Sequence, residues 1–373
     1  MARKGTLLLY VCLLAGGCWA DIDAVVEPPP PSRELNVEKL DFYVNTDEGK
    51  AILFSEFLNI KGGKRKPWTE AEKPENFPKN RYDDLLAFDE TRVQLEPRSY
   101  DESDYINANY IDGYHRQKEY VATQGPLPNT TRDFWAMIWQ LNIRKVVMLA
   151  NLFEHGKPKV AKYWPDDADT YGDIIVTKLY ENEMPEIKHV IRIFSIKKQG
   201  HLGFRLLRHF HFTGWPDLGV PEDRLGVLGL LEQVRKYLPE DTAPICVHCS
   251  AGVGRTGTVM LMDSMLERAR QEGVVNFPER LDHMRVQRVD VVEKKEQYVF
   301  AHQGVNDWYR NLTTTQEYLK KVDKLHKATD DKMYMEDFKL PLTLEDALQR
   351  IKLHTHRITS ILEVIERGFP PAS

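Results

Sequence analysis

Cys246 and Cys249 are three positions apart and sit in contrasting sequence. Cys246 lies inside the apolar run Ile245-Cys246-Val247, which reads as a short buried strand and makes that thiol a small inert hydrophobe. Cys249 belongs to His248-Cys249-Ser250-Ala251-Gly252-Val253-Gly254-Arg255-Thr256-Gly257, a glycine-bearing turn that leads into a helical run from Thr256 to Gln271. Gly252 and Gly254 permit the positive-φ backbone that turns consecutive N–H groups inward, so Ser250, Ala251, Gly252, Val253 and Gly254 form a nest for three phosphoryl oxygens. The helix aims its positive N-terminal end at the same point. Arg255, with five residues between it and Cys249, offers a planar fork to two of those oxygens. The same field favours a thiolate at Cys249, which is the nucleophilic form of the side chain. Thr256 adds a hydroxyl for the sulfur as it leaves a phosphocysteine. This is a constellation for covalent phosphoryl chemistry that calls for no metal and no organic cofactor.

Such a loop needs a strand behind it and a helix in front. The segment from Tyr105 to Tyr180 is β-rich, notably Lys145 to Ala150, and two more runs follow between His189 and Phe212. A helical stretch, Glu222 to Leu238, precedes the strand that carries Cys246. Strands alternating with helices predict an α/β fold: a twisted mixed β-sheet flanked by helices on both faces, with the phosphate loop between a strand and a helix. Upstream, apolar residues from Leu40 to Leu58 predict two short helices broken around Asp47 to Gly49. Downstream, Leu344, Leu348, Ile351, Thr355, Ile358, Leu362 and Ile365 alternate spacings of four and three. That is the seam of a helix that either lies on the catalytic body or mediates self-association through residues 344–365.

A chain of 373 residues that is 42% hydrophobic and 29% charged can bury a large core. Lys+Arg 51 against Asp+Glu 56 leaves a net charge of −5, which excludes the strongly basic profile of a nucleic-acid binder. Arg3 and Lys4, the apolar run Thr6 to Gly17 and the small-x-small Cys18-Trp19-Ala20 read as a secretory signal over 1–20. Cleavage makes the protein secreted or lumenal, whereas an uncleaved segment anchors it in the membrane; both put the rest of the chain on the lumenal side. Pro28 to Pro31 make 21–33 a stiff spacer. The expected organisation is then a catalytic domain over 34–309 and a helical extension over 310–373. Cysteines do not support export, because Cys246 and Cys249 are too close to staple a domain of this size. Asn129-Thr130-Thr131 and Asn311-Leu312-Thr313 are glycosylation sequons.

From about Glu34 to Tyr309 the chain resembles the phosphotyrosine-specific protein tyrosine phosphatases, as a receptor-type-like single catalytic domain. The loop His248 to Gly257 follows that family's signature without a gap. Trp215-Pro216-Asp217, Lys79-Asn80-Arg81-Tyr82, Asp104-Tyr105-Ile106-Asn107-Ala108, Thr123-Gln124-Gly125-Pro126 and Tyr163-Trp164-Pro165 are further matching blocks. The resemblance implies an enzyme acting on phosphotyrosine-containing proteins. It makes Asp217 the general acid on a loop hinged at Gly214 and Gly219, and Tyr82 the wall of a pocket too deep for phosphoserine. It also gives Asp84 the substrate backbone, Glu154 the orientation of Arg255, and Gln297 a place in the binding site.

One position departs from the family. Glu293 stands where a glutamine usually positions the water that hydrolyses the phosphocysteine. An amide donates and accepts, whereas an ionised carboxylate only accepts and repels a phosphoryl group. Either Glu293 or Gln297 orients the water. The alternative is a phosphotyrosine-binding pseudophosphatase with slow turnover, and a third reading is an adaptor dimerising through its C-terminal seam.

Overall fold

The computed structural model describes residues 34–96, 102–217, 219–238 and 240–337. The expected signal over 1–20, the spacer over 21–33 and the helical seam over 344–365 lie outside the described residues. Nine strands form one sheet: β1 Arg92–Gln94, β2 Tyr105–Ile111, β3 Tyr120–Thr123, β4 Lys145–Met148, β5 Ala168–Tyr171, β6 Ile174–Met184, β7 His189–Lys198, β8 Arg205–Phe212 and β9 Ile245–His248. Their spatial order is β1-β2-β3-β9-β4-β8-β7-β6-β5. The four central strands β3, β9, β4 and β8 run parallel, and the antiparallel strands lie outside them. In the register of β9, Cys246 pairs with Val121 on one side and Val146 on the other. The phosphate loop therefore leaves the carboxyl end of a central strand, where open α/β sheets expose their loops to ligand.

Among the described residues, eight α-helices surround the sheet: α1 Leu40–Asn45, α2 Asp47–Asn59, α3 Thr131–Gln140, α4 Arg224–Lys236, α5 Gly254–Glu272, α6 Phe277–Gln287, α7 Lys295–Arg310 and α8 Thr313–Asp337. Alternation along β8 sorts them by face. His209 meets the aromatic group of Tyr163 and Trp164, with Trp135 of α3 beside Phe194 and Tyr163 on that same face. Phe210 and Phe212 point the other way, toward Tyr237 at the end of α4 and toward Gly226 within it. The expected sheet with helices on both faces is the observed one.

The break between the first two helices falls at Thr46, one residue before the stretch that the sequence singles out. The Thr46 hydroxyl accepts from the Gly49 N–H at 2.9 Å, so Asp47–Gly49 become the capped first turn of α2 instead of an interruption. A side chain at Gly49 would meet the Phe42 carbonyl at 2.4 Å, which explains the glycine at this corner. Beyond residue 309, α8 packs on α4 and the sheet. Val322 lies against Gly229, Tyr318 donates to Asp223 Oδ2 at 3.0 Å, and Arg208 pairs with Asp330 at 2.8 Å.

Candidate active site

The loop after β9 is shaped by residues distant in sequence. Gly252 has φ +70°, and a Cβ there would lie 2.1 Å from the Thr123 carbonyl oxygen, so the position admits only glycine. Arg288, fully buried, donates from Nε to Gly252 O at 2.7 Å and from Nη2 to Ala251 O at 3.1 Å. Nη1 and Nη2 also donate to Asn109 Oδ1 and Asn107 Oδ1 at 2.8 and 2.9 Å. In a trans peptide the N–H points opposite to the C=O. By drawing these two carbonyls outward, Arg288 turns the N–H groups of Gly252 and Val253 into the bowl, and the Gly252 N–H reaches Cys249 Sγ at 3.3 Å. Sequence reasoning missed Arg288, because nothing in its immediate neighbours marks it out and its partners Asn107, Asn109, Ala251 and Gly252 lie far along the chain.

Arg255 opens the first turn of α5 and is held by Glu154 in a two-pronged pair, Nη1 to Oε1 at 2.6 Å and Nη2 to Oε2 at 2.7 Å. Both side chains are buried, and Arg255 Nη1 also donates to Leu149 O at 3.0 Å. Glu154 sits on a small hairpin, Phe153–Glu154 with Lys157–Pro158, closed by His155 and Gly156 at positive φ. The hairpin buries Glu154 and exposes Phe153.

Asp217 stands on the loop after β8. Buried Trp215 anchors that loop, packing on Phe300 of α7 with ring centroids 5.4 Å apart and donating to Gly219 O at 3.2 Å. Asp217 Oδ1 lies 2.6 Å from Lys159 Nζ and 3.6 Å from Arg255 Nη2. The hydrogen bond from Lys159 holds the Asp217 carboxyl below the usual carboxylate range. A phosphoryl dianion arriving on Arg255 opposes that pull, since a like charge favours the protonated acid. Lys159 escaped the sequence reading, where it is one basic residue in a loop.

The other candidates converge on the same mouth, with one exception. The Tyr82 hydroxyl is 3.1 Å from Ser250 Oγ, and Ser250 Oγ donates in turn to Lys159 O at 3.0 Å. Gln124 staples the Tyr82 loop, accepting from Arg81 N at 2.9 Å and donating to Lys79 O at 2.7 Å. Asp84 faces solvent and makes no bond to the phosphate loop. Thr256 is fully buried, and its hydroxyl has no hydrogen-bond partner among the described residues, so the bond to sulfur expected of it is not formed here. The Gln297 amide and the Glu293 carboxylate both reach Gly254: a Cβ on that glycine would lie 2.9 Å from Gln297 Nε2 and 3.0 Å from Glu293 Oε2. Behind the loop, His248 Nδ1 is 3.1 Å from Cys249 O, and its Nε2 is 2.8 Å from Tyr163 OH. Burial holds His248 down at about 4, so it is neutral at pH 7.

A family model described as protein-tyrosine phosphatase matches residues 76–307. The chain is 42% identical over 288 residues to receptor-type tyrosine-protein phosphatase S of Gallus gallus, covering 76% of this chain and 19% of the relative. To receptor-type tyrosine-protein phosphatase F of Rattus norvegicus it is 42% identical over 283 residues, covering 74% and 14%. To receptor-type tyrosine-protein phosphatase U of Gallus gallus it is 40% identical over 237 residues, covering 63% and 16%. The chain thus matches less than a fifth of the length of each relative. Among the described residues, no helix is long and apolar enough to cross a membrane.

Proposed function

The chain belongs to the protein-tyrosine phosphatase family, and from that premise we propose that it hydrolyses phosphotyrosine in proteins through a phosphocysteine intermediate. The observation that carries this reading is the two-pronged Arg255–Glu154 pair beside Cys249, with Asp217 3.6 Å from the same guanidinium. The bound phosphoryl group takes the inward N–H groups of the loop and the free edge of Arg255. The Cys249 thiolate attacks phosphorus in line with the tyrosyl oxygen. Tyrosinate leaves badly, so Asp217 protonates it as the P–O bond breaks, an effect worth about 10²–10⁴-fold. Tyr82 stacks on the substrate ring and sets the pocket's depth, while Asp84 is the candidate contact for the substrate backbone. The buried Thr256 hydroxyl is left to stabilise the sulfur when water expels it.

The catalytic domain on this reading is 34–309, followed by the helical extension over 310–373, whose first helix leans on α4. The test is steady-state hydrolysis of a phosphotyrosyl peptide by wild type and Cys249→Ser. Turnover should vanish in the variant while a phosphotyrosyl ligand still binds, because the nest and Arg255 are untouched. Appreciable turnover by Cys249→Ser would sink the covalent mechanism.

A further inference from the structure

Three carboxylates ring the phosphate loop, and two are already engaged. Glu154 spends both oxygens on Arg255, and Asp217 is paired with Lys159 at 2.6 Å. The third, Glu293, is exposed at the loop's edge, and its carboxylate has no hydrogen bond or ion pair to any described residue. Its Oε2 lies 3.0 Å from the place of a Gly254 side chain, over the residue where the nest passes into α5. Gln297 reaches the same place, with Nε2 at 2.9 Å and Oε1 at 3.1 Å from it, and because Oε1 already accepts from Glu293 N at 3.0 Å and Lys294 N at 3.2 Å, the Nε2 protons are the ones left to donate. A water seated there meets one donor and one free acceptor, the complement its lone pairs and protons need.

We propose that Glu293 is the general base of the second step, with Gln297 positioning the water; this rests on the phosphocysteine reading above. Glu293 takes a proton from the water as the water oxygen forms its bond to phosphorus. The S–P bond breaks with its electron pair returning to Cys249 as thiolate, and inorganic phosphate leaves. Asp217 Oδ1 is already taken up by Lys159 Nζ at 2.6 Å, whereas the Glu293 carboxylate has no partner among the described residues. The charge of Glu293 does not bar phosphoryl binding, since the side chain stands in solvent where repulsion is screened, and Arg255 with the helix N-terminus opposes it.

The test uses the full chain and 2,4-dinitrophenyl phosphate, whose leaving group needs no acid. Rapid mixing and acid quench of the ³²P-labelled substrate measure release and phosphoenzyme together in wild type, Asp217→Ala, Glu293→Gln and Asp217→Ala/Glu293→Gln. Asp217→Ala should turn over without accumulating phosphoenzyme, because the base is intact. Adding Glu293→Gln should produce a burst, trap ³²P on the enzyme and lower the steady-state rate by about 100-fold. If Asp217→Ala itself accumulates phosphoenzyme, or Glu293→Gln leaves its decay unchanged or faster, the proposal is overturned, and faster decay favours the slow-turnover alternative. Turnover by Cys249→Ser would instead remove the phosphocysteine itself, so a failure of the underlying mechanism is distinguishable.

Discussion

Cys246 and Cys249 are both buried, at 0% and 4% exposure, yet their surroundings differ in kind. Cys246 lies in β9 with a parallel strand on each side, and burial pushes its thiol up, far from thiolate. Three positions on, the strand has ended. Cys249 receives the Gly252 N–H and stands at the N-terminal side of α5, near an arginine braced by Glu154. Depth is the same, so depth does not separate the two thiols. The direction of backbone dipoles does: ladder N–H groups are used up within a sheet, whereas loop N–H groups bent inward by Gly252 and Arg288 are open to an anion.

The largest effect that can break this comparison is the loss at Cys249. Cys249→Ser should lower phosphotyrosine turnover by at least about 10³-fold with an unchanged melting temperature, because a hydroxyl is a far weaker nucleophile at its free pKa. Next comes Asp217→Ala, for which kcat should drop about 10²–10⁴-fold with a modest change in KM. The loss should shrink for aryl phosphates with good leaving groups, and equal loss for all esters would mean that Asp217 is not the acid.

Arg288→Met sharpens the claim that the loop is bent from behind. It strands the carbonyls of Ala251 and Gly252 and the amides of Asn107 and Asn109 in a buried place, so stability should fall by about 2–4 kcal/mol by denaturant titration. A fully folded Arg288→Met with wild-type kcat/KM would show that the glycines alone shape the bowl.

Lys159→Met acts through pH. Lys159 depresses the Asp217 carboxyl, so its removal lets the pKa rise and keeps the acid protonated to higher pH. The alkaline limb of the kcat profile should therefore move upward in pH, and an unmoved limb would detach Lys159 from the acid. The smallest effect belongs to Cys246→Ala, which should cost about 1 kcal/mol in stability and leave turnover near wild type. If it abolished turnover as Cys249→Ser is expected to, the contrast between the two cysteines would be lost.

Local chemistry was readable from the chain because its parts are contiguous. His248 to Gly257 holds the proposed nucleophile, both glycines, the proposed phosphate-binding arginine and the start of α5 within ten residues, and short-range sterics suffice to predict how such a segment turns. The alternation of strands and helices followed from hydrophobic pattern for the same reason. The break before α2 was misjudged by one residue, since a single hydroxyl cap on Thr46 decides it.

What needed the tertiary structure is whatever acts across the chain. Arg288 braces a loop 36 residues behind it and asparagines 179 and 181 residues away, while Glu154 and Arg255 are 101 apart. Lys159 meets Asp217 only because a hairpin and the loop after β8 arrive at one mouth. Glu293 drew attention in the sequence as a departure, but the orientation of Gln297 that gives it a role depends on two backbone N–H groups at 3.0 and 3.2 Å. The loop around Cys249 was therefore legible from sequence alone, where bonded geometry restricts each residue. Which charges pair, which carboxylate stays free and which way each amide faces were decided by folding, because electrostatic and hydrogen-bond partners are chosen by distance in space.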